Sequence, residues 1–160
     1  LGWIIRSVSA RPIKREGGDL EAMKAALAEL EAGRVVIIYP EGTRSPNGEM
    51  IDFKRGVLLL VKKAKPTILP MALDGTFDAW PKGRKFPRLR GKVVCVCGEP
   101  MSGEELAKLD GAQALAAMRD AVARLHDEAR AERRRWSRAF GGIWPATLKC
   151  RISGFRVETK

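Results

Sequence analysis

Val35-Val36-Ile37-Ile38-Tyr39-Pro40-Glu41-Gly42-Thr43-Arg44-Ser45-Pro46-Asn47-Gly48 is the stretch on which the fold turns. Val35–Tyr39 is a continuous β-branched run closed by an aromatic residue, and it predicts a strand buried on both faces. Pro40–Gly48 carries turn chemistry, with Pro, Gly, Ser and Asn clustered together. A buried strand that ends in a tight turn delivers polar groups to the carboxyl edge of a sheet, where α/β proteins bind ligands. Gly42 admits a close backbone approach to a ligand. Arg44 offers a planar fork suited to phosphate or carboxylate. Thr43 and the following amides add neutral donors, and Glu41 can orient Arg44 or accept a substrate hydroxyl. Lys54 and Arg55 follow and add positive field. On the residues alone this is an anion-binding loop, and the bland alternative is a structural turn closed by a salt bridge.

Working outward, Asp19 is a good N-cap and Leu20, Met23, Leu27 and Leu30 recur at helical spacing before Gly33, which predicts an amphipathic helix over Asp19–Ala32. Lys54–Ala64 reads as a short helix with Gly56 near its start. Thr67–Leu73 reads as a strand in which Pro70 argues for an edge or a bulge. Lys92–Cys97 reads as a third strand. Ser102 with Glu105 forms a capping box. Beyond Gly111, the residues Leu115, Met118, Val122, Leu125 and Ala129 recur at helical steps and predict a long amphipathic helix to about Arg135. Strands alternating with helices predict an α/β fold with a mostly parallel central sheet flanked by helices. The expected organisation is a domain over residues 1–135 and a tail over residues 136–160 to which no role attaches.

The chain has 160 residues and 45% hydrophobic content, enough for one domain with a real core. Its net charge of +11 calls for an anionic partner: nucleic acid, an anionic membrane surface or a phosphorylated substrate. Lys82, Arg84, Lys85, Arg88, Arg90 and Lys92 form a basic loop interleaved with Trp80 and Phe86, which reads either as solvated or as a contact for lipid headgroups or donor phosphates. No recognised nucleic-acid motif is present, so nucleic acid is not the expected partner. The three cysteines make no disulfide framework, which favours a reducing location. Cys95 and Cys97 share a strand face and read as small core residues. No apolar run approaches the roughly 18 residues of a membrane span.

Tyr39-Pro40-Glu41-Gly42-Thr43-Arg44-Ser45 resembles the third signature block of the glycerolipid acyltransferases, and of the lysophosphatidic acid acyltransferase family among them. Phe53-Lys54-Arg55-Gly56 is similar to the F-K-R-G that this family places shortly afterwards. Lys65-Pro66-Thr67-Ile68-Leu69-Pro70-Met71 looks like its fourth block, and the likeness continues loosely through Ala72–Gly83. Leu1–Arg6 and Ala10–Arg15 resemble the run leading into the second block. The resemblance spans Leu1 to about Pro100. It implies transfer of an acyl group from acyl-CoA or acyl-carrier protein to lysophosphatidic acid, with no metal or organic cofactor. It also implies work at the cytoplasmic face of a membrane, peripherally or through an anchor further upstream. In that reading Arg44 and Arg15 hold the acceptor's phosphate, Glu41 and Gly42 shape its pocket, Thr43 is a further substrate-binding residue, and Pro70 belongs to the pocket wall.

The family's first block is a His, four residues, then an Asp, in which the His acts as general base on the acceptor hydroxyl. This chain has one histidine, His126, and the residue five positions on is Ala131, so the block is not here. His126 reads as a surface histidine. The chain also opens on Leu1 rather than Met. The expectation is a piece truncated at its N-terminus, with the catalytic block upstream, that does not catalyse by itself. Its rivals are a non-catalytic remnant that binds lipid phosphate and, further off, a basic nucleic-acid-binding domain.

Overall fold

A computed structural model describes residues 18–86, 88, 92–140 and 147–150. The expected first helix is present as α1 (Gly18–Glu31), and Gly33 stops it with a φ of 73°. Arg34 then folds back onto Glu29 as an ion pair. Helix α1 packs on α2 (Val57–Ala64), which starts three residues after the expected Lys54, with Gly56 at its N-cap. Leu60 and Val61 of α2 are buried. The chain continues through β1 (Met71–Asp74), a short α3 (Thr76–Ala79) that the sequence pattern does not announce, and β2 (Val94–Cys97). It ends in α4 (Gly103–Lys108), α5 (Gly111–Phe140) and β3 (Thr147–Cys150). Helix α5 thus runs past the expected end at Arg135, and a strand from the expected tail joins the sheet.

The α/β class holds, but the expected mostly parallel sheet does not describe these strands. The sheet has the order β1-β2-β3. Strand β1 runs antiparallel to β2, with Met71 opposite Cys97 and Asp74 opposite Val94. Strand β3 runs parallel to β2, with Val94 opposite Thr147. The antiparallel pairing arises because α3 and its basic loop return the chain beside β1 without a full crossover helix.

The ladder is interrupted at Pro70, with the extra residue on the facing strand rather than on Pro70's own. Ile68 pairs with Met101 and Met71 with Cys97, so Leu69-Pro70 on one side oppose Gly98-Glu99-Pro100 on the other. The Pro70 carbonyl still accepts the Gly98 N–H at 2.9 Å. Past β1, Gly75 turns with a φ of 90°, and a Cβ there would lie 1.9 Å from the Lys92 carbonyl oxygen. No residue with a side chain fits that approach without moving the backbone.

Helix α5 organises the interior. Its Leu125 and Ala129 pack with Ala72, Val94 and Val96 of the sheet. One end of the same helix brings Met118 against Val61 and Leu106, sealing α2 and α4. Ala114, Met118, Leu125 and Ala129 are the buried residues, spaced as one helical stripe. Asp110 caps α5: its Oδ1 accepts the N–H of Ala112 at 2.7 Å and of Gln113 at 3.0 Å. Asp110→Ala is therefore expected to lower stability by about 1 kcal/mol, read as a shifted urea midpoint at constant m. Cys97 is buried and Cys95 half-buried, so the core expectation fits the first better than the second.

The expectation for Val35–Tyr39 is overturned. The run forms no strand in the described residues, and Val35, Ile37 and Tyr39 are 93%, 77% and 70% exposed. A strand buried on both faces needs neighbouring strands for its N–H and C=O groups and layers above and below, and the described residues supply neither to this run.

His126 is also not a surface histidine. Its side chain is 16% exposed, and Nε2 lies 3.9 Å from Oδ1 of the buried Asp74. Asp74 also receives Arg133 Nε in a short ion pair, while Arg133 Nη1 reaches Asp78 Oδ2 at 2.8 Å. Burial works to lower the Arg133 pKa, and the hydrogen bonds and charges of Asp74 and Asp78 more than offset it, leaving it above its ordinary value. The basic stretch late in α5 is thus a clasp on β1 and α3 as well as a solvated end. Among the described residues no helix is long and apolar enough to cross a membrane.

Candidate functional site

The loop after Tyr39 is closed at its base and held by its own side chains. Gly42 N–H donates to the Tyr39 carbonyl at 3.0 Å, and Lys54 N–H donates to the Pro40 carbonyl at 2.8 Å. Between these limbs, the Glu41 carboxylate accepts the Ile51 N–H at 3.1 Å. Ser45 Oγ accepts the Gly48 N–H at 2.9 Å and donates to Asn47 Oδ1 at 3.0 Å, which in turn accepts the Glu49 N–H at 3.1 Å. Gly48, at a φ of 85°, sits against Phe77 of α3. Glu49 pairs with Arg130 of α5 at 3.3 Å. Ser45 to Ile51 is therefore the frame that fixes the loop on the body of the molecule, and Gly42, Thr43 and Arg44 are left exposed at its tip.

Cationic side chains from separate elements attend this tip. The Lys54 side chain lies over Gly42, where a Cβ would stand 2.7 Å from its Cε and 3.1 Å from its Nζ. Gly42 has a φ of 69°, so glycine serves here both for the turn and for the room Lys54 occupies. Lys82 Nζ lies 3.5 Å from Thr43 Oγ1. The Arg44 guanidinium carbon stands 5.4 Å from the centre of the Trp80 ring, a cation–π distance. The Trp80 indole is itself anchored, donating from Nε1 to the Arg84 carbonyl at 2.8 Å.

The expected site residues divide accordingly. Gly42, Thr43 and Arg44 are consecutive and exposed together. Glu41 braces the loop through Ile51, and Arg44 meets Trp80 rather than Glu41. Lys54 joins the tip, while Arg55 faces a cleft of about 500 Å³ shared with Phe53, Leu58, Leu115 and Arg119. Pro70 is buried, with its ring close to Gly98 beside Leu125, an interior position. Arg15 lies outside the described residues. Trp80 and Lys82 were not singled out as site residues by the sequence. The available signal was the Trp-Pro-Lys-Gly turn at the head of the basic loop, whose approach to Thr43 and Arg44 spans 39 residues for the Lys82 contact.

The structure is thus an α/β protein with a bonded loop frame that carries an exposed glycine tip with cations beside it, and comparison narrows the class. Residues 1–74 match the family model described as Acyltransferase. The chain is 30% identical over 122 residues to the 1-acyl-sn-glycerol-3-phosphate acyltransferase of Bacillus subtilis (strain 168), covering 76% of this chain and 58% of that protein. It is 28% identical over 107 residues to a chloroplastic 1-acyl-sn-glycerol-3-phosphate acyltransferase of Arabidopsis thaliana, covering 66% of this chain and 30% of that one. The crystal structure of the 1-acyl-sn-glycerophosphate (LPA) acyltransferase PlsC from Thermotoga maritima superposes with a TM-score of 0.64 at 29% identity, over 81% of this chain and 51% of that chain. The chain belongs to the lysophosphatidic acid acyltransferase family. It spans between about a third and three-fifths of the length of these curated relatives.

Proposed function

We propose that the protein of which this chain is part transfers a fatty acyl group from acyl-CoA or acyl-carrier protein to lysophosphatidic acid, giving phosphatidic acid. This chain contributes the site for the acceptor's phosphate. The observation that carries the reading is the gathering of Arg44, Lys54 and Lys82 about the exposed Gly42–Arg44 tip of a loop whose frame is bonded elsewhere. Arg44 supplies a fork that can bond two phosphate oxygens at once, and the lysines add point charges beside it. The family resemblance adds Arg15, which lies outside the described residues, as a further phosphate-binding candidate.

The acceptor's free hydroxyl attacks the thioester carbonyl. A C–O bond forms, the hydroxyl proton goes to a general base, the C–S bond breaks, and the leaving thiolate takes that proton back from the base to depart as the thiol. The base is the histidine of a His-x4-Asp block N-terminal to residue 1, oriented by its aspartate. Fixing the phosphate holds the hydroxyl at a set distance from that base, which makes the encounter effectively intramolecular.

The test is acyl transfer to lysophosphatidic acid by the protein extended upstream through that block, beside the 160-residue chain alone. Phosphatidic acid is expected from the extended protein only. If the extended protein acylates no lysophospholipid, the site binds lipid phosphate without catalysis.

The same reading places the protein at an anionic membrane surface. Phe86 is 77% exposed and Trp80 44%, beside Lys82, Arg84, Lys85 and Arg88. Basic residues near an anionic bilayer contribute about 1 kcal/mol each. Partition onto anionic vesicles is therefore expected to exceed that onto neutral ones by at least about tenfold at low salt. Equal sedimentation with both would count against this surface.

A further inference from the structure

The turn Trp80–Arg84 touches the loop tip at two points and also carries hydrogen bonds of its own. These are Trp80 N–H to the Thr76 carbonyl at 2.8 Å, Arg84 N–H to the Pro81 carbonyl at 3.2 Å, and the indole to the Arg84 carbonyl. Arg88 N–H closes the outer side on the Ala79 carbonyl at 2.7 Å. With its N–H satisfied inside the turn, the indole is locked and presents its π-face to Arg44. Lys82, at the apex, points its ammonium at Thr43. A rigid, electron-rich plate under a guanidinium removes much of that side chain's rotamer freedom, and it leaves the N–H fork edges for an anion.

We propose that the Trp80–Arg84 turn is the second half of the acceptor-phosphate site. Trp80 is a positioning residue that holds the Arg44 fork, and Lys82 is a direct phosphate contact. This rests on the reading of Arg44 as the phosphate-binding arginine. Because the turn heads the basic loop, the plate and the second cation lie next to the surface that meets the membrane. The acceptor's headgroup then stays in contact with fixed cations as it passes from bilayer to site.

The test is calorimetric titration of the 160-residue chain with sn-glycerol 3-phosphate and with a short-chain, monomeric lysophosphatidic acid. Trp80→Leu is expected to weaken both about two- to fivefold, while Trp80→Phe, which keeps an aromatic face, holds most of the affinity. Lys82→Met is expected to weaken both about fivefold and to flatten the salt dependence. The positioning role predicts that Trp80→Leu has no further effect once Arg44 is alanine, because there is no fork left to hold. Additive losses from the two substitutions would overturn it. Arg44 side-chain NMR resonances are expected upfield by ring current in the unsubstituted chain. Random-coil shifts there would overturn the stacking whether or not Trp80→Leu folds. If Arg44→Ala itself leaves binding unchanged, the phosphate reading falls. If Arg44→Ala weakens binding but Trp80→Leu and Lys82→Met do not, only the role of the turn falls.

Discussion

Arg44→Ala, made in the protein extended through the His-x4-Asp block proposed above, is expected to raise the KM for lysophosphatidic acid about tenfold to a hundredfold. The KM for the acyl donor should stay within about twofold, since only interactions lost with the acceptor are removed. The size follows from the bonds at stake. Hydrogen bonds to a charged partner are worth about 1.5–3 kcal/mol net, and each 1.4 kcal/mol is roughly tenfold. Arg44 is exposed at the loop tip, so its loss leaves no cavity in the core and no buried partner. The loop frame is bonded through Ser45, Asn47 and Glu41 and does not depend on it. Arg44→Lys should recover only part of the affinity, because an ammonium replaces a planar two-point fork with a point charge. Steady-state kinetics with each substrate varied separately decide the matter. An unchanged acceptor KM together with an unchanged rate removes Arg44 from the phosphate site.

The second large effect concerns stability. Arg133→Met is expected to cost about 3 kcal/mol, a fall in Tm of roughly 6–12 °C for a chain of this size. Asp74 is 7% exposed and sits on β1 beneath α5, where Arg133 and His126 face it. Removing the guanidinium leaves a buried carboxylate without its main partner, which is the costly way to break a buried pair. The figure is set at the low end of the usual range because the Arg133 side chain is 29% exposed and water can reach the gap. Asp74→Asn in the same background should restore most of the loss, since the stranded charge is then gone. A double-mutant cycle by thermal or urea unfolding measures this. If Arg133→Met unfolds within about 0.5 kcal/mol of the unsubstituted chain, the clasp does not hold α5 to β1.

Local signals in the sequence were legible where short-range physics governs. The apolar spacing of Leu20, Met23, Leu27 and Leu30 gives α1, and Gly33 ends it within a residue or two of the prediction. Ser102 with Glu105 starts α4, where the Ser102 hydroxyl accepts the Glu105 N–H at 3.4 Å. Pro70 announces a break in the ladder because a residue without an N–H cannot continue it. The exposed turn at Gly42–Arg44 was readable for the same reason, since the turn chemistry of Pro and Gly travels with the residues themselves. The family was readable from the order and spacing of the blocks around Glu41–Arg44.

What escaped the sequence involves partners far along the chain. Val35–Tyr39 looks doubly buried because β-branched residues suit a central strand, yet burial belongs to the neighbours, and the described residues place none beside it. The direction of β2 against β1 depends on how α3 and the basic loop return the chain. His126, read as surface, lies next to Asp74 only because α5 crosses β1. Trp80 and Lys82 join Thr43 and Arg44 only because that same return carries their turn to the loop.

The sequence by itself determined the course of α1 and most of α2 and α5, the Ser102 cap, the residues of the exposed loop tip and the family. The tertiary structure alone decided strand direction, the Asp74 clasp and which cations surround that tip. Caps and periodicity act over a few residues of chain, whereas ion pairs and stacked rings form between residues that only the closed fold brings within reach.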